Sequence, residues 1–237
     1  MPTHKAFRIS KAARYQNAAL EYYLELTQSP YLHYGYWNPL PISPDELTPA
    51  QLRIAQQAYA DRLLSFIPTE SKTILDVGCG IGGNAAHLIS QGFAVEGLAP
   101  DPFQQEQFLQ RTHEQAVFHL CRFEDYQSTK TYDLLLFGES SQYMAARDIA
   151  QGSKRLVKPG GYVLIADMFR KDAKYCQGIF SNCLVLPELE GALMEQGFQL
   201  VKVEDISTYV TPTLDICVYY FQTFGLSTFK YLSLIHI

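Results

Sequence analysis

From Lys72 onward the chain alternates short, β-branched apolar runs with stretches whose apolar residues recur at helical spacing. The runs predict strands over 73–77, 94–98, 116–120, 132–137, 161–167 and 199–204, with helices over 83–91, 102–112, 145–157 and 187–196. Gly92 and Gly197 stop two of these helices, and Pro159-Gly160-Gly161 makes the turn into another strand. Such βα alternation implies an α/β fold with a doubly wound, mostly parallel sheet and ligands at the carboxyl ends of its strands. Ahead of it, residues 9–27 read as an amphipathic helix. An aromatic run, Tyr31-Leu32-His33-Tyr34-Gly35-Tyr36-Trp37, and a linker with three prolines over 39–47 follow. Thr48-Pro49-Ala50-Gln51 combines an N-cap, a first-turn proline and a capping-box Gln, which starts a helix over 49–66. At the far end, 211–225 has a Pro-led start, an aromatic face and a Gly stop, as a helix would; either 231–237 adds a makeshift last strand or the chain is shortened. The organisation expected is a helix and aromatic lid in 1–48, one ligand-binding domain in 49–207, and a partial helical cap and tail in 208–237.

Composition narrows the function. A net charge of −5, a pI near 5.7 and the lack of a basic run argue against a nucleic-acid partner. Five cysteines without a C-x-x-C pair suggest neither a disulfide framework nor a zinc site, and no metal is expected. Met1 to Arg8 lacks an apolar signal core and no apolar stretch is long enough to span a bilayer, so a cytoplasmic location is the expectation. The partner expected is a small molecule.

The chemistry centres on Leu75-Asp76-Val77-Gly78-Cys79-Gly80-Ile81-Gly82-Gly83, a strand ending in an acid, then four glycines in six positions, then a helix start. Glycines let the backbone approach a ligand, and the first amides of a helix are free donors. The dinucleotide fingerprint is G-x-G-x-x-G, and the different order here points away from a nicotinamide oxidoreductase.

The segment resembles motif I of the class I S-adenosylmethionine (SAM) methyltransferases, whose fold is Rossmann-like. The resemblance implies SAM as cofactor, S-adenosylhomocysteine (SAH) as product, and Asp76, Gly78, Cys79, Gly80 and Gly82 beneath the amino-acid end of the donor. His33-Tyr34-Gly35-Tyr36-Trp37 is similar to the segment preceding motif I in tocopherol C-methyltransferases and sarcosine/dimethylglycine N-methyltransferases, where it lies over the donor. This implies Tyr34 at the cofactor, Tyr36 and Trp37 at the acceptor, and a catalytic candidate in His33.

Three further segments extend the resemblance with departures. The second strand ends in Ala99 where most relatives have a ribose-binding acid; Asp101 or Gln104 could replace it, and Gln104 matches the tocopherol-type pattern. Cys121-Arg122-Phe123-Glu124-Asp125 matches the adenine segment, implying roles for Phe123 and Glu124. Glu139-Ser140-Ser141-Gln142-Tyr143-Met144 faces donor and acceptor in the relatives but has Gln142 and Tyr143 where they have an acid and a histidine. Glu139 is therefore assigned to the cofactor, Gln142 to the acceptor, and Tyr143, His33 and Asp167 are the candidate proton acceptors. Glu96 reads as an outward, solvated residue. The reaction implied is methyl transfer to a lipophilic or ring-bearing metabolite, at carbon or nitrogen ahead of oxygen. A SAM-binding protein without turnover is the non-enzymatic alternative.

Overall fold

The computed structural model describes residues 23–25, 27–40, 48–174, 183–220 and 222. Its centre is a five-stranded sheet in the order β3-β2-β1-β4-β5. The strands are β1 Thr73–Val77, β2 Ala94–Ala99, β3 Val117–Leu120, β4 Tyr132–Gly138 and β5 Val157–Ala166, and every neighbouring pair is parallel. The helices are α1 Pro49–Leu64, α2 Gly83–Ser90, α3 Pro102–Arg111, α4 Ala146–Leu156, α5 Leu186–Glu195, α6 Ser207–Val210 and α7 Pro212–Tyr220. The doubly wound α/β class expected from the alternation is the one observed.

Strand geometry sends successive side chains to opposite faces, and the two cores follow from it. Ile74, Leu134 and Leu136 join one cluster with Tyr59, Leu63 and Phe108. Leu75, Val77, Leu135 and Phe137 join the other with Phe123, Ile149 and Leu156. Both faces are covered, as a parallel sheet with near-continuous apolar strands requires. At the amino end of the sheet Asp133 sets the frame: it accepts from Lys72 N at 3.0 Å, Thr73 N at 2.8 Å, Thr73 Oγ1 at 2.8 Å and Lys158 Nζ at 2.8 Å. One carboxylate thus joins the starts of β1, β4 and β5. The capping box at α1 forms as expected, with the Thr48 side chain accepting from Gln51 N.

Three expectations change. Residues 199–204 form no strand; Leu200, Val201 and Val203 are exposed. A strand needs a neighbouring backbone, and among the described residues β5 pairs only with β4, so this apolar run has no ladder to join. Glu96 is not an outward, solvated residue either: half-buried, it has Tyr132 Oη at 2.7 Å, His119 Nε2 at 2.6 Å and Lys130 Nζ converging on its carboxylate. These partners hold the Glu96 pKa below its ordinary value against the effect of burial. Finally, β5 starts four residues early, after a register shift between Tyr132 and Leu134 on β4. Of the helix expected over 9–27, Tyr23–Glu25 and Thr27 are described and are helical, and the rest, like 231–237, lies outside the described residues.

Candidate active site

β1 delivers the glycine turn to the carboxyl edge of the sheet, next to the ends of β2 and β4. Gly78, Gly80 and Gly82 have φ of +71°, +53° and +85°. Each occupies the left-handed region that favours glycine. The four glycines do not have one job, however. A Cβ on Gly78 would strike Ser140, one on Gly82 would meet Phe108 at 2.9 Å, and one on Gly83 would run into the Pro30 carbonyl. At Gly80 the nearest atom is Leu32 Cδ1 at 3.3 Å. Close packing of the chain on itself therefore demands three of the glycines, and open approach is left at Gly80. The amides sort the same way. Gly78 N and Cys79 N donate to Leu98 O at 2.7 and 3.3 Å, whereas Gly80 N and Ile81 N make no hydrogen bond among the described residues. Arg111 Nε, donating to Ile81 O at 3.1 Å, pins the turn from α3.

Three carboxyl groups lie at the same edge. Asp76, at the end of β1, is buried; its Oδ2 has no partner, and burial pushes its pKa up to about 7. Glu139, just past β4 at φ +56°, accepts from Tyr34 N at 2.9 Å and lies near the Tyr59 hydroxyl. Burial, with the Asp167 charge nearby, pushes it up to about 8. Asp167, just past β5, accepts from Ser141 Oγ at 2.7 Å, Gln142 N at 3.1 Å and Met168 N at 2.8 Å, and burial raises its pKa against those donors. Among the described residues no Lys, Arg or His pairs with any of the three. One buried and two half-buried acids, with no cation paired to them among the described residues and unpaired amide donors beside them, suit a ligand with a positive charge and a carboxylate. The amino acid end and sulfonium of SAM have that charge pattern.

Residues 30–37 form a strap across this edge. Gln56 of α1 holds it through Nε2, which donates to His33 O at 2.6 Å and Tyr31 O at 3.3 Å. Tyr36 N donates to Ala55 O at 2.8 Å, and Gly35 N and Trp37 Nε1 both donate to Thr213 Oγ1 at 2.9 Å. His33 stacks on Tyr59 at 4.5 Å, and burial lowers its pKa to about 4. Nδ1 lies 2.8 Å from Tyr34 O and Nε2 3.2 Å from Asn84 Oδ1, and the tautomer decides which of the two the ring donates to. Both ring nitrogens are thus engaged.

The strap brings Tyr34 over Glu139, with Tyr34 Oη 3.6 Å from Met168 Sδ, and Tyr36 against Tyr209 at 5.4 Å. Asp76, Gly80, Glu139, Gln142 and Asp167 lie at the adjoining strand ends. Gln104 is half-buried in the first turn of α3, while the alternative, Asp101, caps that helix by accepting from Phe103 N at 2.7 Å. Other candidates point elsewhere. The Trp37 ring is buried against α1 and Ile216 of α7, the Phe123 ring is buried against Phe137, Glu124 is exposed, and Tyr143 is 78% exposed. Phe123 and Glu124 can reach a ligand only from the loop backbone or from the surface. Sequence reasoning missed Gln56, Tyr59, Asn84, Met168 and Thr213; each looks like an ordinary helix or loop residue until the strap is laid on it. Among the described residues no three His, Cys, Asp or Glu side chains gather as a metal site would require.

The model of a family described as "Methyltransferase domain" matches residues 52–203, a span that includes the turn, Glu139 and Asp167. The chain belongs to this methyltransferase family. Among curated relatives of the domain, methyltransferase GfsG of Streptomyces halstedii is 28% identical over 206 residues, 77% of this chain and 70% of its own length. The 2-methyl-6-phytyl-1,4-hydroquinone methyltransferase of Synechocystis is 26% identical over 163 residues, 66% of this chain and 49% of its own. The chain thus spans about half the length of some relatives it matches. Among solved structures, geranyl diphosphate methyltransferase in complex with GPP and sinefungin aligns with a TM-score of 0.68 at 21% identity, covering 86% of this chain and 88% of the other. The [4+2]-cyclase SpnF aligns at 0.67 and 16%, covering 90% and 86%. The methyltransferase domain therefore has the class I, SAM-dependent fold, and the dinucleotide reading is set aside. No helix among its described residues is long and apolar enough to cross a membrane.

Proposed function

We propose that this methyltransferase domain transfers the methyl group of SAM to a small lipophilic or ring-bearing acceptor, at carbon or nitrogen ahead of oxygen. The observation that carries the reading is the set of three carboxyls, Asp76 buried and Glu139 and Asp167 half-buried, which among the described residues have no counter-cation and lie beside the unpaired amides of Gly80 and Ile81. SAM supplies an electrophilic methyl on a cationic sulfur, displaced in line, so alignment in a dry pocket does most of the catalytic work. In this reading Gly80 N and Ile81 N receive the donor's carboxylate and Asp76 its ammonium. Gln104 takes the ribose, the Phe123 backbone and Glu124 lie by the adenine, and Tyr34 and Tyr36 close the strap and exclude water. Gln142 and Tyr143 border the acceptor side, and His33, engaged at both nitrogens, positions the strap.

The acceptor preference rests on protonation. Asp167 is met by three donors, and His33 has no free nitrogen. An acceptor that arrives nucleophilic fits this site better than an alcohol that must first be deprotonated. Relatives named as a hydroquinone and a geranyl diphosphate methyltransferase support a lipophilic acceptor class.

The test is calorimetric titration with SAM and SAH, then an acceptor screen with methyl-labelled SAM over electron-rich rings, prenyl diphosphates, amines and alcohols. Micromolar binding and label transfer to a ring or prenyl carbon or to an amine are expected. Failure to bind either nucleoside would overturn the reading; binding without transfer to any class would leave a SAM-binding protein without turnover in its place.

A further inference from the structure

Glu139 is the acid that the mechanism leaves without a task, and its surroundings are unusual. Among the described residues, the titratable groups that interact with it are Tyr23 ahead of the strap, Tyr34 on the strap, Tyr59 on α1, Tyr143 after β4 and Asp167 after β5. All are neutral or acidic, and the nearby His33 is kept uncharged by burial. Its Oε1 accepts from Tyr34 N at 2.9 Å, which ties the half-buried carboxyl to the strap.

A carboxyl held among neutral and acidic groups, beside a second acid, favours its neutral form until a cation arrives. We propose that Glu139 exchanges its proton for the positive charge on the donor's sulfur, so that the domain releases one more proton to solvent on taking up SAM than on taking up SAH. The inference rests on the reading that SAM is the methyl donor. SAM and SAH share the ammonium and the carboxylate, and differ by one methyl and one positive charge. Whatever Asp76 contributes at the ammonium therefore cancels between them, and the difference isolates the sulfonium. In a buried site a unit charge is felt over many ångströms, so direct contact between Glu139 and sulfur is not required. The free carboxyl, raised to about 8 by burial, is protonated at pH 7; beside a sulfonium its ionised form is favoured. After transfer the sulfur is neutral, the carboxylate takes a proton back from water, and the pocket no longer favours the spent nucleoside. Glu139 thereby discriminates donor from product by charge.

The sign follows from linkage. Below pH 8 SAM uptake expels a proton that SAH uptake does not, so the SAM-to-SAH affinity ratio climbs as the pH rises, by up to about tenfold per unit, and levels off above 8. The experiment is titration calorimetry of the full chain with each nucleoside at pH 7 in phosphate and in Tris, whose ionisation heats differ, followed by affinities from pH 6 to 9. Expected are close to one extra proton per SAM and a ratio that rises and then flattens. In Glu139→Gln, an isosteric and permanently neutral replacement, the extra proton and the slope disappear. Equal proton release for the two nucleosides in the wild-type chain, which needs no variant, would overturn the exchange. So would a Glu139→Gln protein that keeps the difference, because the proton would then come from Asp167 or Asp76. No SAM binding at all would sink the donor reading together with this one, whereas SAM binding with no proton difference sinks the exchange alone.

Discussion

At the scale of the residue, the same amino acid does two jobs a few positions apart. Gly78, Gly82 and Gly83 are small because Ser140, Phe108 and Pro30 leave no room for a Cβ, so substitution there breaks packing. Gly80 has room and still sits at φ +53°, where a β-branched side chain costs about 1–2 kcal/mol and would project where the ligand backbone must come. Gly80→Val is therefore expected to fold, with a stability loss of no more than about 2 kcal/mol. It should lose at least about a hundredfold in SAM affinity, roughly 3 kcal/mol. Tyr143→Phe, at a ring that is 78% exposed, should keep its SAM affinity within about twofold, under 0.5 kcal/mol. Equilibrium binding of the two variants decides the matter: an unchanged affinity in Gly80→Val would remove the turn from the site.

At the scale of the element, the strap depends on one hydroxyl. Thr213 Oγ1 accepts from both Gly35 N and Trp37 Nε1, and all three residues are buried. Thr213→Val keeps the shape and leaves two buried donors unpaired, at about 1–3 kcal/mol each. Trp37 is the sole tryptophan of the chain, so its fluorescence reports on the strap directly. The variant should show a red-shifted, more readily quenched emission with unchanged far-ultraviolet dichroism; unaltered emission would mean that the strap is held by Gln56 and Ala55 alone. The same element shows how far a sequence can be read. Its aromatic run marked it as a cover over the turn, and five of the six expected strands were legible from apolar runs alternating with helical spacing, whereas 199–204 was misread because its sequence does not show whether a neighbouring strand is there to pair with. The anchors were not legible, since Gln56 and Thr213 lie far away in sequence and nothing local distinguishes them from solvated helix residues. Trp37 shows the resulting error: an aromatic beside a site suggests an acceptor contact, yet its ring is packed between α1 and α7. Glu96 fails for the same reason, because its burial depends on Tyr132 and His119, which other strands bring to it.

At the scale of the whole molecule, two groups of acids oppose each other as the pH changes. Asp133, bonded to Lys158 and the start of β1, and Glu96, bonded to Lys130, His119 and Tyr132, have pKa values below their ordinary ones. Their contribution is present above the unfolded carboxylate range near 4 and is lost as the pH falls through their folded values. Both are partly solvated, so each counts for less than its shift suggests. Asp76 and Glu139 have the opposite sign: raised to about 7 and about 8, they bind protons more tightly folded than unfolded. Stability therefore falls as the pH rises from about 4 to about 8 and stays low beyond it. Urea unfolding of the free chain from pH 3 to 9 should show a maximum near pH 5 and a decline of a few kcal/mol toward pH 8. Asp76→Asn, which removes one ionisation without changing shape, should flatten part of the decline, matching the wild type near pH 4 and exceeding it at pH 8. Saturating SAM should stabilise the wild-type chain more at pH 8 than at pH 5, because the ligand's charge then meets carboxylates already ionised and waiting for it. A flat profile between pH 5 and 8, or an Asp76→Asn chain no more stable than wild type at pH 8, would show that these acids are paired or hydrated in solution, and the electrostatic case for a cationic ligand would go with them.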